Sequence, residues 1–229
     1  MRFLKATLLA LLAAAVPVAP VCAAPPAWGP EFGQSGYFAL RHDMRKCASP
    51  GCGGFWLKRV NQPFTRCADG KPRSECYVAE LEGAPETLFD TNAALLVRGS
   101  LRPRAYSGAG GVDLNLGFFS VVAAWRAAGP GAPLTGEASK VHYAGIESSG
   151  IVCITVPCPS FTEYTLNSPR QHLITGLDLS PAAAAPELEQ KAINTVGGGG
   201  VLLVRGVTRQ SQEGAELVFE ALQFYLPVR

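Results

Sequence analysis

The sequence predicts a mainly β protein built as a tandem pair of small units, and three observations predict it. Tyr37, Cys47, Cys52 and Asn61 return as Tyr143, Cys153, Cys158 and Asn167 at one constant offset, and the string LLVRG at residues 95–99 returns at 202–206. A folding unit written twice is the economical reading of such self-similarity. Most of the chain alternates between apolar and polar residues and breaks at Gly, Pro and Asn, the pattern of strands separated by turns. Each copy also carries one C-x4-C.

Residues 1–23 read as a secretory signal: Arg2 and Lys5 precede an apolar stretch rich in Ala and Leu, and Val21-Cys22-Ala23 offers a small-residue exit. Pro20 and Val21 stand where a lipobox wants small residues, so cleavage is expected rather than lipidation of Cys22. Pro17 and Pro20 interrupt the apolar run before it reaches the ~20 residues that span a bilayer. No later segment is long and apolar enough to span. The expected destination is therefore secreted or periplasmic.

In the first repeat, expected over 24–127, strands are predicted at about residues 36–46, 53–61, 75–82, 93–104 and 112–127. The second, expected over 137–229, follows the same order near 140–152, 160–167, 172–179, 200–209 and 215–226. A linker is expected at 128–136, whose sequence AGPGAPLTG favours turns. Between the third and fourth strands of the second repeat, Ser180 can cap a helix with Pro181 or Pro186 at an early position. Leu188, Ala192, Ile193 and Val196 then share one face before Gly197 ends the run. The equivalent stretch 85–92 has room for one turn that buries Leu88 and Phe89. Three strands, a helix and two strands is the order of a five-stranded OB-like barrel, so two such barrels in tandem are expected, with a joint β-sandwich as the competing architecture.

Composition narrows the function. The chain has 20 Lys plus Arg and 18 Asp plus Glu, and loss of Arg2 and Lys5 with the signal brings the mature balance to zero. Binding to nucleic acid or an anionic membrane needs a basic excess that is missing overall. Divided after Pro130, the first repeat carries 12 basic and 9 acidic residues and the second 6 and 9. The signal also removes one of seven cysteines, and an even number in an exported chain points to disulfides. Six cysteines allow 15 connectivities. The duplicated C-x4-C makes Cys47–Cys52 and Cys153–Cys158 the economical choice, leaving Cys67 for Cys76. A zinc site is disfavoured by export and by histidines not spaced as partners for these cysteines.

The runs CASPGCGGFWLKRVN and GIVCITVPCPSFTEYTLN, each followed by a late strand with V-R-G, resemble a family of exported bacterial domains of unknown function. The resemblance implies export, duplication and disulfide bonding, and it lends no catalytic residue or ligand.

Candidate chemistry is sparse. His42 beside Asp43 could serve a hydrolase as a general base, but alternation puts His42 with Phe38, Leu40 and Met44 on the apolar side of its strand, where a buried, hydrogen-bonded role is expected. The matching residue in the second repeat is Ser148. His142 and His172 lie near strand starts without a nucleophile motif, and no G-x-S-x-G, H-E-x-x-H or phosphate loop occurs. Glycines 197–200 follow a helix instead of leading into one, so they do not cradle phosphate. No catalytic, cofactor or metal residue is assigned. The remaining cluster is Arg41, Arg45, Lys46, Lys58 and Arg59, interleaved with Phe55 and Trp56 on the first two strands. OB-like barrels use that surface for ligands, aromatics stacking and cations pairing with anionic groups.

The function expected from the residues is a disulfide-stabilised binding or interaction protein for an envelope or extracellular protein or an anionic ligand. An inhibitor that presents its C-x4-C loops to an extracellular enzyme is the alternative, and a hydrolase using His42 and Asp43 the third reading.

Overall fold

A computed structural model describes residues 35–89, 93–107, 111, 113–133, 140–210 and 216–228. The signal read at 1–23 and residues 134–136 of the expected linker lie outside the described residues. The first half contains β1 (Ser35–His42), β2 (Phe55–Arg59), β3 (Thr65–Arg66), β4 (Pro72–Arg73), β5 (Cys76–Val78), β6 (Glu80–Glu82), β7 (Leu95–Arg102), β8 (Ala105–Ser107), β9 (Asp113–Asn115) and β10 (Phe118–Ala127). The second contains β11 (His142–Ser148), β12 (Phe161–Thr165), β13 (Gln171–Ile174), β14 (Gly176–Asp178), helix α1 (Pro186–Gly197), β15 (Leu202–Gln210) and β16 (Leu217–Pro227).

Alternation produces the strands as expected: Phe38, Leu40, Leu57 and Val78 point inward and are buried, while Arg41 and Lys58 point outward. β1 stops at His42, short of the expected residue 46, because the chain turns there and Asp43 accepts the backbone N–H of Arg45. The third strand of each half is split. Cys76–Val78 pairs antiparallel with β2, and Glu80–Glu82 pairs parallel with β10. In the second half, Gln171–Ile174 pairs antiparallel with β12 and Gly176–Asp178 parallel with β16.

Two separate closed barrels are not what the strands make. The described strands form one large, mainly antiparallel sheet with the path β13-β12-β11-β15-β16-β10-β7-β1-β2-β5, while β3–β4 and β8–β9 are separate two-stranded ladders. The two halves meet where Trp125, Arg126 and Ala127 of β10 pair with Pro227, Leu226 and Tyr225 of β16. Both strands are long, 10 and 11 residues, and their ends would otherwise leave unpaired backbone groups on an edge. Val60, Leu96, Ala127, Leu166, Leu203 and Tyr225 bury the junction, so the halves join edge to edge through a shared ladder.

The recurring glycine of LLVRG has a steric reason. A Cβ on Gly99 would lie 2.0 Å from the Ser120 carbonyl oxygen, and one on Gly206 2.0 Å from that of Glu220. Both sites lie beside register shifts in the ladder, Val121/Ala123 and Arg205/Gly206, where the strands approach too closely for a side chain.

Helix α1 begins at Pro186 after Ala185, so Ser180 does not cap it; Ser180 opens a separate short 3-10 turn, Ser180–Ala182. Ala192 and Val196 are buried, but Ile193 is 54% exposed because the apolar stripe is narrower than expected. In the first half a 3-10 turn, Glu86–Phe89, buries Leu88 and leaves Phe89 40% exposed, stacked on Phe55. No helix of the described residues is long and apolar enough to cross a membrane.

Candidate functional site

Three cysteine pairs are bonded among the described residues: Cys47–Cys52, Cys67–Cys76 and Cys153–Cys158. Cys67 and Cys76 are buried in the core of the first half with Leu57, Val78 and Leu101. The insertion between them thus begins and ends in packed interior.

On the outer face of the first half, Arg41, Trp56 and Tyr77 form a row across β1, β2 and β5, since direct cross-strand partners project to the same side. Trp56 packs edge-on against Tyr77, and the guanidinium groups of Arg41 and Arg45 lie 5.1 and 5.0 Å from the Trp56 ring centre. Both arginines are engaged within the chain. Arg41 pairs with Glu75 at 2.6 Å. Arg45 binds the buried carboxylate of Asp43, donates to the Gly51 carbonyl at 3.1 Å and reaches over Tyr77. Hydrogen bonding from Arg45 outweighs burial and holds the Asp43 carboxyl well below the usual carboxylate range. The Tyr77 hydroxyl donates to the Pro50 carbonyl and accepts from Gly54 N–H. Trp56, Arg45 and Tyr77 therefore fasten the Cys47–Cys52 ring to the sheet.

The other residues of that sequence cluster lie elsewhere. Phe55 faces the core, Arg59 is half-buried over Phe38, and Lys46 and Lys58 are exposed. Burial lowers the pKa of Arg59. His42 is exposed rather than buried, because β1 has run past the core at that end; its ring packs edge-on against Phe55. Asp43 projects to the opposite side of the strand, towards Arg45, so His42 and Asp43 do not form a working pair.

The ring of the second half differs in chemistry. Val152, Ile154 and Val156 are 95, 104 and 89% exposed around the Cys153–Cys158 bond. Its base is pinned by Ser149, whose hydroxyl donates to the Pro159 carbonyl at 2.6 Å and accepts from Ile151 N–H. Ser148 and Ser160, at the foot of the ring, also line an open groove of about 610 Å³ floored by Phe161, Leu177, Leu179 and Val196, with Asp178 and Glu189 on its walls. Exposed aliphatics and an apolar groove thus adjoin one another.

A polar centre of the second half escaped the sequence reading. Glu163 on β12 is fully buried and is met by His142 at 2.6 Å, His172 at 3.0 Å and the Thr208 hydroxyl at 2.6 Å. Burial opposes ionisation of Glu163, but the hydrogen bonds from His142 and Thr208 and the histidine charges overcome it, leaving its pKa below the ordinary value. Burial likewise opposes the His142 cation, and the Glu163 carboxylate and Lys140 carbonyl overcome it, raising its pKa. The missed signal was in the alignment of the repeats: Glu163 falls where the first repeat has the core residue Leu57. No group of three or more His, Cys, Asp or Glu among the described residues is placed to hold a metal ion.

A family model described as a domain of unknown function (DUF6748) matches residues 36–229. No curated protein matches the chain. A solved structure of a deletion mutant of the single-stranded DNA binding protein from Thermus aquaticus is similar at 16% identity, over 86% of this chain and 96% of that one, with a TM-score of 0.22. At that score the likeness carries no argument about fold or ligand.

Proposed function

The chain belongs to the DUF6748 family of domains of unknown function over residues 36–229, and on that premise we propose that it is an exported recognition module that presents the Cys153–Cys158 ring to the apolar surface of a partner protein. The single observation that carries this is the nearly complete exposure of Val152, Ile154 and Val156 on a turn closed by a disulfide. Contiguous exposed aliphatics are unfavourable in water and mark contact sites. A ring already closed in the free protein loses little further freedom on binding. The neighbouring groove extends the apolar surface, and Asp178 and Glu189 on its walls suit a partner with basic residues at the rim.

Three disulfides, and described helices too short to cross a membrane, are consistent with an extracellular or periplasmic protein. The signal reading of residues 1–23 completes this picture. We also read each half as a partly open OB-like unit from a duplicated ancestor. Numbering the five principal strands of a half in chain order, the pairings run 1-2, 2-3, 3-5 parallel, 5-4 and 4-1 in both halves. The ring then occupies the loop between strands 1 and 2, one of the ligand-binding loops of OB folds. Trp56 and its arginines, being engaged internally, serve in this reading as scaffold.

A photo-crosslinker at position 154 should capture a defined envelope or extracellular protein, whereas one at Lys58 should not. The double change Val152→Ser/Ile154→Ser should weaken that complex by about tenfold or more without changing the melting temperature. Unchanged affinity in that variant removes the ring from the interface. If the partner is a secreted hydrolase, the same variant reads out as lost inhibition, which distinguishes the inhibitor reading.

A further inference from the structure

We infer that Glu163, His142 and His172 form a proton-operated latch that ties the edge strand β13 to the interior of the second half, closed in mildly acidic solution and slackened as His142 loses its proton. β13 ends the sheet path, so one side of it has no ladder partner along that path. Its His172 stands opposite Glu163 in the β12–β13 register. The Glu163 carboxylate faces His142 Nε2 through one oxygen, and through the other it faces His172 Nε2 and accepts the Thr208 hydroxyl. Thr208 lies on β15, which is not a neighbour of β12 in the sheet, so this bond spans the interior.

The hydrogen-bond pattern fits a doubly protonated His142 beside an ionised Glu163. His142 Nδ1 is 3.1 Å from the Lys140 carbonyl oxygen, which can only accept, so Nδ1 carries a proton. Nε2 faces an ionised carboxylate at 2.6 Å, which also only accepts. An imidazole that donates from both nitrogens is a cation. The groups facing the carboxylate are thus His142 from β11, His172 from β13 and Thr208 from β15, while β16 packs the Phe219 ring against His142. Arg209 and Glu220, the next residues along β15 and β16, project to the opposite face and pair with each other at 2.5 Å. When the imidazolium charge is lost, Glu163 remains a buried anion with neutral donors alone, a costly state.

The sign follows from the two groups. His142 binds its proton more tightly in the folded protein, so its stabilisation is complete below the ordinary histidine value, about 6.5, and is lost as pH rises through its folded value. Glu163 binds its proton less tightly, so its share is present above the ordinary glutamate value, about 4.3, and is lost as pH falls through its folded value. The latch is therefore tightest between these limits.

Amide hydrogen exchange on the full chain tests it. After correction for intrinsic exchange, residues 171–174 should exchange about tenfold faster at about pH 8.5 than at about pH 6, and Glu163→Gln should abolish that dependence. Should Glu163→Gln fold poorly, nitrogen chemical shifts of His142 in the native protein decide: both ring nitrogens should be protonated at neutral pH, with a midpoint above the ordinary value. A His142 midpoint at or below that value, or exchange at 171–174 that ignores pH, overturns the proposal.

Discussion

Asn61 and Asn167 close the two halves onto each other by the same exchange of hydrogen bonds run in opposite directions. Asn61 donates its amide to the Tyr143 and Leu166 carbonyls at 2.7 and 2.9 Å, and its oxygen accepts Tyr143 N–H at 2.8 Å. Asn167 donates to the Tyr37 and Val60 carbonyls at 2.7 and 2.9 Å and accepts Tyr37 N–H at 2.9 Å. Each asparagine follows the second strand of its own half, has a left-handed φ of 57° or 58°, and bridges the open end of the other half's first hairpin. Asparagine suits both demands: it tolerates that backbone region and carries a donor and an acceptor on one planar group.

Replacing either asparagine by Ala should destabilise the protein by about 2–4 kcal/mol, the sum of left-handed strain and unsatisfied backbone groups. Asn→Gly removes the strain and should cost less. Denaturant unfolding of Asn61→Ala, Asn61→Gly and their Asn167 counterparts checks this, and an Asn61→Ala variant as stable as the parent would contradict the clasp.

Gly99→Ala and Gly206→Ala should each cost more than about 2 kcal/mol or prevent folding, because the added carbon meets a backbone oxygen that cannot swing away. Gly197→Ala is the control. It lies in α1 with open space around its Cβ position, and should be neutral or stabilising by up to about 1 kcal/mol. Melting temperatures of the three variants separate steric need from mere recurrence in sequence.

Loss of the buried bridge, by Cys67→Ala/Cys76→Ala, should cost more than loss of the exposed one, by Cys153→Ser/Cys158→Ser. The chain-entropy contribution is about 2–2.5 kcal/mol in either case, and the first change also leaves a void among Leu57, Val78 and Leu101. Equal losses in denaturant unfolding would show that packing around Cys67 and Cys76 contributes nothing.

Asp43 should contribute to acid sensitivity. Its folded pKa is depressed by Arg45, so its stabilisation is present above the ordinary aspartate value, about 3.9, and disappears as pH falls through the lower folded value. Asp43→Asn should flatten the fall of melting temperature below about pH 4. Arg45→Ala should flatten it too and also shift the fluorescence of Trp56, whose ring Arg45 covers.

Much of the local structure was legible. The C-x4-C spacing gave the two short rings and left Cys67 for Cys76, and alternation placed Phe38 and Leu40 inside. The fate of charged residues was not legible in the same way. Arg41 and Arg45 read as a basic surface until Glu75 and Asp43 came beside them, and Glu163 drew no notice in the sequence because only the fold brings β11, β13 and β15 around it. His42 obeyed the alternation yet lies exposed, because period alone does not say where along a strand the core ends.

The sequence by itself determined the strand-rich character, the turn positions, the recurring glycines and asparagines and the short cysteine rings. Each of these depends on backbone preferences or side-chain spacing over a few residues. Tertiary structure alone decided that β10 pairs with β16 into one shared sheet, that Glu163 is buried between two histidines, and that the arginines around Trp56 are already paired. Those outcomes depend on which apolar faces and unpaired backbone edges come together and exclude water, about a hundred residues apart at the β10–β16 junction and 9 to 45 apart around Glu163, and hydrophobic periodicity does not encode that choice.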